Sequence, residues 1–372
     1  WAGDYEVINQ KGFRSSLYLT ADTIIIVELF LVLGINISII FQYGTITSLL
    51  FAVSTLILIV YFVLWAKIFN NTLHIFVIVS TITVLFNALL YNANIFNFDY
   101  YRKLILLISA VIFFCLVSSI PISLFYVKVI KCFTSLLSVI YICSYYIIGI
   151  NTSIANGITL NYTNPNLAGM WLAATALLNC YFFFESKKNI SKCFFAICTV
   201  LILNLLYLTL CRGAIISIIL AAILFLMQLV KREYGLSKKA ILMMLLLPLV
   251  FGVFYLSFIT NERVTEMFSF LVTEGKTLTS RVTIWKHAFD VFLSNPLFGN
   301  YYTLTGGTGL SQMHNSHIDV IATYGLVVFC LFIKLIYKCL ITVKNDMNCL
   351  LQCLALCGFL GCIFIGTFEA AL

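Results

Sequence analysis

Runs of about 20 apolar residues, each long enough to cross a hydrocarbon layer, recur along the whole of this 372-residue chain and are broken only by short polar clusters. A backbone inside hydrocarbon finds no water for its N–H and C=O groups, so each run must satisfy them internally as a helix. Cutting at the polar clusters gives spans near 20–42, 46–66, 73–91, 104–126, 132–150, 167–184, 193–211, 213–230, 240–258, 318–340 and 348–368. The expected fold is an all-α polytopic membrane protein of about 11 spanning helices, with residues 1–372 forming one transmembrane domain. Hydrophobic residues at 62% against charged residues at 10% exclude a water-soluble domain. Recurrence of the runs also excludes a soluble enzyme behind a cleaved signal peptide. The Cys residues lie mostly inside the spans, as at Cys115, Cys143, Cys198, Cys330 and Cys353, and show no paired metal spacing. They read as small hydrophobes, and no disulfide framework is expected.

The net charge of +8 would suggest nucleic acid in a soluble protein, but here the basic residues sit between spans and act as orientation signals. With the N-terminus inside, the inner segments hold Lys11, Arg14, Lys67, Lys128, Lys131, Lys187, Lys188, Lys192, Lys231, Arg232, Lys238, Lys239, Lys334, Lys338 and Lys344. The outer segments hold Arg102, Lys103, Arg212, Arg263, Lys276, Arg281 and Lys286, and the bias of 15 to 7 selects this orientation over its inverse. One large loop, 259–317, then faces outward. Loops of that length in a compact protein are commonly functional.

Within this loop, residues 281–294 read as an amphipathic helix, with Thr279 or Ser280 as N-cap candidates and Asn295-Pro296 as its stop. At 100° per residue, Trp285, Ala288 and Phe292 share one face, while Thr283, Lys286, His287, Asp290 and Ser294 share another. Arg281 falls on the apolar face, where a guanidinium either snorkels from the first turn or meets a partly buried anion. Arg212 stands between two apolar runs at the outer membrane edge, and a lipid headgroup or a functional anion would satisfy it.

Asn164-Pro165-Asn166 opens the 167–184 span on the same side. Asn164 is a natural N-cap and Pro165 a natural first helical residue, and the helix N-terminus makes Asn166 a secondary anion-binding candidate. His314-Asn315-Ser316-His317 closes the loop before the span that carries Asp319 in its first turn. The His pair lacks a third metal ligand, so the choice lies between a hydrogen-bonded surface feature and a general base at the membrane edge. Gly306-Gly307-Thr308-Gly309 has no βαβ frame, no Walker lysine motif is present, and no Asp-x-Asp pair could hold a divalent metal on a nucleotide sugar.

Taken in order, Asn164-Pro165-Asn166, Cys211-Arg212-Gly213-Ala214, Ser280-Arg281 with Trp285, Asn295-Pro296-Leu297-Phe298-Gly299, His314-Asn315 and Gly325-Leu326 resemble the bacterial O-antigen ligase and polymerase superfamily. The likeness covers about residues 160–330. Val328 and Cys211 depart from residues common in the family, and a twelfth span, usual there, is expected beyond Glu369; Trp1 reads as a truncated start.

The resemblance implies a glycosyltransferase of GT-C type that joins glycans already built on polyprenyl (undecaprenyl) pyrophosphate, in the bacterial cytoplasmic membrane and on its outer face. It implies that no cofactor, metal or nucleic acid is involved. Carried over, Arg212 and Arg281 would hold the pyrophosphate and His314 would take the proton of the attacking hydroxyl, with Asn166, Asn315, His317 and Trp285 binding substrate. A chain-length regulator is a further partner that the resemblance allows. Ligases of the family transfer to lipid A core and polymerases join repeat units; abundant Ile, Phe, Asn, Tyr and Lys fit an AT-rich genome and favour a polymerase here. The rival class, a lipid-linked sugar flippase or transporter, tends to bury ionisable groups near the midplane. Here only Asp22 and Glu28, in the first span, stand apart from the outer-edge polar groups.

Overall fold

The computed structural model describes residues 23–64, 71–91, 98–119, 124–154, 157–162, 164–231, 237–259, 276–301, 316–345 and 358. In order these form α1 (Thr23–Ile40), α2 (Gly44–Leu64), α3 (Asn71–Leu90), α4 (Phe98–Ser119) and α5 (Leu124–Ile142), which continues as a π-turn over Cys143–Ile147. A short antiparallel hairpin, β1 (Ser153–Ile154) and β2 (Gly157–Ile158), precedes α6 (Pro165–Glu185), α7 (Asn189–Leu208), α8 (Arg212–Lys231) and α9 (Lys238–Ile259). Last come α10 (Lys276–Ser294) and α11 (Ser316–Asn345). Among the described residues, eight helices are long and apolar enough to cross a membrane. The fold is that of an all-α polytopic membrane protein. The expected span 348–368 lies outside the described residues apart from residue 358.

The helices begin and end for local reasons. At α6 the Asn164 side chain accepts from the N–H groups of Asn166 (2.6 Å) and Leu167 (3.4 Å), and Pro165 takes the first helical position, where it needs no donor. Helix α5 starts at Leu124, earlier than the polar break at Lys128 and Lys131 suggested. Lys131 folds back along apolar surface to Ser186 (2.8 Å) and Glu185 (3.4 Å) and lies over the rings of Phe182 and Phe195, so its charge does not interrupt the helix. Helix α9 carries Pro248 inside it. Much of α2 is bare apolar surface, with Leu49, Leu56, Val63 and Leu64 exposed, as a lipid-facing helix requires.

Two compact units are present, Trp1–Leu64 with Ile112–Cys211 and Trp65–Val111 with Arg212–Leu372. In the first, α5, α6 and α7 pack together, and their buried polar groups pair across helices or with the preceding turn: Asn179 donates to Ser138 (2.8 Å) and Thr134 to Ile130 O (2.8 Å). One end of this unit is closed by the hairpin, where Gly157 abuts the Thr209 carbonyl too closely for any side chain. In the second, α11 is central and packs on α3, α9 and α10. Phe76 faces Phe332 at 6.5 Å, and Lys338 donates to Thr72 (2.9 Å), tying α3 to α11.

Candidate active site

Helix α10 is amphipathic as its sequence requires. Trp285, Ala288 and Val291 are buried against Ile318 and Ala322 of α11, with Ile284, Phe289 and Phe292 alongside, whereas Lys286 and Asp290 are exposed. The helix begins at Lys276, so Thr279 and Ser280 lie within its first turns and do not cap it. It stops after Ser294, ahead of Pro296. Trp285 is only 1% exposed and anchors α10 to α11.

The chain leaving α10 is then seized by α11. Helix α11 breaks at Gly325 (φ 81°, ψ 176°), which frees backbone groups that a continuous helix would pair internally. The 295–300 turn fills the break: Leu326 N donates to Pro296 O (2.9 Å) and Asn300 N to Ala322 O (2.9 Å), while Gly299 N closes the turn on Asn295 O (2.8 Å). Two segments named separately in the sequence, Asn295 to Gly299 and Gly325-Leu326, are one tertiary joint.

Helix α3 grips the other side of this joint through a fully buried amide. Asn87 Nδ2 donates to Thr83 O (3.0 Å) and Phe298 O (3.3 Å), and its Oδ1 accepts from Tyr301 N (3.1 Å). Asn300 donates to Tyr91 Oη (2.7 Å), and the rings of Phe86 and Phe298 lie 5.1 Å apart. The buried Tyr301 hydroxyl accepts from Leu104 N (3.3 Å), and loss of water pushes its pKa up to about 12. Beside it, Lys103 pairs with Asp319 at 2.7 Å, and Thr323 also donates to that carboxylate (3.2 Å).

His317 is buried, with Nε2 2.7 Å from Leu245 O. A carbonyl only accepts, so Nε2 carries a proton and the ring ties α11 to α9 in the turn before Pro248. Phe329 and Phe332 meet the ring edge-on. Arg212 opens α8 and is exposed. The preceding Cys211 is buried and its thiol donates to Asn166 O (3.9 Å), while its N–H is held by Thr209 (3.2 Å) after Leu210, which adopts a positive φ of 54°. The backbone N–H of Asn166 is taken by Asn164, so capping consumes the donor that an anion would need, and Asn166 retains its half-buried side chain.

His314 and Asn315 lie outside the described residues, and of Arg281 only the helical backbone in α10 is described. Among the described residues, no group of three His, Cys, Asp or Glu is placed to hold a metal ion. Sequence reading missed Asn87, Tyr301 and the role of Lys103. Asn87 did leave a signal, since an amide in the middle of an apolar run must find a partner. Lys103 was counted only as an orientation charge.

Residues 197–333 match the family model described as O-antigen ligase. That segment contains α8 to α10, the turn at 295–300, the break at Gly325 and every sequence-predicted site residue except Asn166. The match covers part of the chain and supports a likeness to the O-antigen ligase and polymerase superfamily over that segment. No curated protein and no solved structure matches the chain.

Proposed function

We propose, with the match of residues 197–333 as premise, that this protein is a glycosyltransferase that polymerises oligosaccharide repeat units carried on polyprenyl pyrophosphate, for a surface polysaccharide such as capsule, exopolysaccharide or O-antigen. The observation that carries the reading is the joint between the 295–300 turn and Gly325-Leu326. It ties the chain leaving α10 to α11, and in sequence Arg281 belongs to α10 while His314 stands two residues before α11. Fixed placement of such groups is what positional catalysis needs.

In the proposed reaction, a sugar hydroxyl of the acceptor attacks the anomeric carbon of the donor. The new C–O bond forms as the bond from that carbon to pyrophosphate breaks, His314 accepts the hydroxyl proton, and polyprenyl pyrophosphate leaves. Charge grows on the leaving oxygen, so Arg212 and Arg281, as forked guanidiniums, would stabilise the transition state more than the ground state. Asn166, Asn315, His317 and Trp285 are proposed to shape substrate binding, Trp285 and His317 from buried positions behind the joint. The site faces outward by the 15 to 7 bias in basic residues. No metal or cofactor enters this scheme, and a chain-length regulator is its natural protein partner.

The description of the matching family favours a second reading, transfer to a lipid A core. One assay separates the two. Purified protein is given a lipid-linked oligosaccharide with no ion gradient, with and without lipid A core. Lengthened lipid-linked glycan supports the polymerase, product only with lipid A core supports the ligase, and movement across vesicles without any joining points to a flippase.

A further inference from the structure

At the end of the first unit closed by the hairpin lies an open cleft of about 440 Å³ lined by Ile40, Phe41, Gln42, Gly149, Asn151, Thr152 and Asn161, among others. Its size is that of a small-molecule site. None of its lining residues is charged, so it offers nothing to a phosphate, and its polar groups are amides and a hydroxyl. An amide presents both donors and an acceptor and so complements sugar hydroxyls, each a donor and an acceptor at once.

Two features mark the cleft as built. Its floor is fixed: Asn161 Nδ2 donates to Ile40 O (2.6 Å), Asn161 N donates to Thr152 Oγ1 (2.8 Å), and Thr152 pairs with Thr159 (2.8 Å). Directly behind, Tyr162 and Tyr141 both donate to the buried Asn36 Oδ1, whose own amide reaches Val32 O (2.8 Å). The second feature is backbone strain. Of the four non-glycine residues at positive φ among the described residues, Gln42 (60°) and Asn161 (65°) line the cleft and Leu160 (49°) adjoins it. Residues held in such conformations cluster at binding sites.

Against this rigid floor, the side chains of Gln42 and Asn151 are exposed and make no hydrogen bond among the described residues. Asn161 Oδ1, turned away from water, likewise meets no donor among the described residues. Phe41 and Tyr43 stack at 6.5 Å beside the turn, giving the rim an apolar ring face for the C–H side of a sugar. Their indole-free, uncharged setting also suits a ligand that carries no charge of its own.

We infer that this cleft binds the neutral sugar residues of the glycan, through the amides of Gln42 and Asn151. The inference rests on the glycan-transfer reading for which glycan is bound, and the orientation proposed above puts the cleft on the outer side of the membrane. Binding energy gathered on sugar far from the reacting carbon holds a long acceptor or donor in register.

The test uses the full chain in phosphatidylcholine nanodiscs. Its probes are the neutral oligosaccharide freed by mild acid from the lipid-linked glycan of the cells that make this protein, and inorganic pyrophosphate. The variant is Gln42→Gly with Asn151→Ala, because glycine removes the Gln42 amide while easing its positive φ, so the fold is preserved. The oligosaccharide is expected to bind wild type, its Kd to rise about tenfold in the double variant through the loss of two hydrogen bonds, and pyrophosphate binding to stay unchanged. Oligosaccharide binding that is absent from wild type, or unaltered in the variant, overturns the inference. If wild type binds oligosaccharide in this way yet joins no glycan, the cleft stands and the transfer reading falls. If glycans are joined and the variant keeps the wild-type KM, the transfer reading stands and the cleft falls.

Discussion

Gly299 and Gly325 meet backbone to backbone. A Cβ on Gly299 would stand 2.5 Å from Gly325 N, and one on Gly325 would stand 2.6 Å from Gly299 N. Both residues have positive φ, 61° and 81°. Side chains are therefore refused twice, by conformation and by space. Gly325→Ala should cost about 1–3 kcal/mol from the backbone conformation alone, since φ 81° with ψ 176° is a region essentially confined to glycine, with the overlap added, and should separate the 295–300 turn from α11. A melting temperature several degrees lower in detergent, together with reduced glycan joining, is the expected outcome. An unchanged melting curve would mean that the joint does not hold.

Asn87 is the polar pin of the same joint. Asn87→Ala leaves the Phe298 carbonyl and the Tyr301 N–H without partners inside a buried contact, at a cost of about 1–3 kcal/mol per buried group left unpaired. Asn87→Asp keeps the acceptor for Tyr301 N but loses the donor to Phe298 O, so it should rescue part of the stability at most. Thermal unfolding of the two variants ranks them, and Ala melting with wild type would remove Asn87 from the account.

Tyr301 gives an alkaline signature. Burial favours its neutral phenol and raises its pKa to about 12, whereas an unfolded phenol ionises near pH 10. Between those values the unfolded chain releases a proton that the folded protein keeps. Its contribution to stability is thus whole below about pH 10 and is lost as pH rises through about 12. Melting scans between pH 9 and 12 should show a steeper fall for wild type than for Tyr301→Phe; parallel curves would refute the assignment.

What the sequence made legible is what periodicity and local chemistry control. The apolar runs within the described residues form helices, Asn164 and Pro165 open α6 by the expected cap, and Trp285 with Ala288 marks the buried face of α10. What escaped is decided by distant neighbours. Lys131 looked like a boundary because its partners, Ser186 and Glu185, lie far along the chain. Gly325-Leu326 stands out in the sequence only as a motif inside a span, and its break is invisible there because the turn that fills it arrives from 295–300. Thr279 and Ser280 resembled caps, yet α10 starts at Lys276. The hairpin at 153–158 has strands of two residues each, too short for alternation to register. Of the proposed site, residue identities were legible, but the amide at Asn87 and the ion pair of Lys103 with Asp319 depend on packing that no local pattern encodes.

Arg281 is placed by sequence on the face of α10 that Trp285 and Ala288 bury. Arg281→Lys keeps the charge and loses the bidentate fork, so glycan joining should fall sharply at unchanged protein level and melting temperature. Turnover equal to wild type would reduce Arg281 to a residue that merely reaches for the interface.

The two histidines that flank the start of α11 should separate by readout. His317 is buried and bonded to Leu245 O, so His317→Ala removes a buried tether between α11 and α9 and leaves that carbonyl without its donor. Its effect should appear first in stability, at about 1–3 kcal/mol, and in activity only as far as the fold loosens. His314 is proposed to take the proton of the attacking hydroxyl. His314→Ala should therefore leave the melting temperature and the binding of lipid-linked pyrophosphate intact while joining falls about 10²–10⁴-fold, the usual worth of a general base. The arginines would still hold the donor, so donor Kd is the control that keeps a binding defect from passing as a catalytic one. Asp319 is the nearest substitute base in sequence, but its carboxylate is already engaged by Lys103 and Thr323. Full-length polymer from a stable His314→Ala protein would exclude His314 as the base, and activity lost by Asp319→Asn with the fold intact would then transfer the role to that carboxylate.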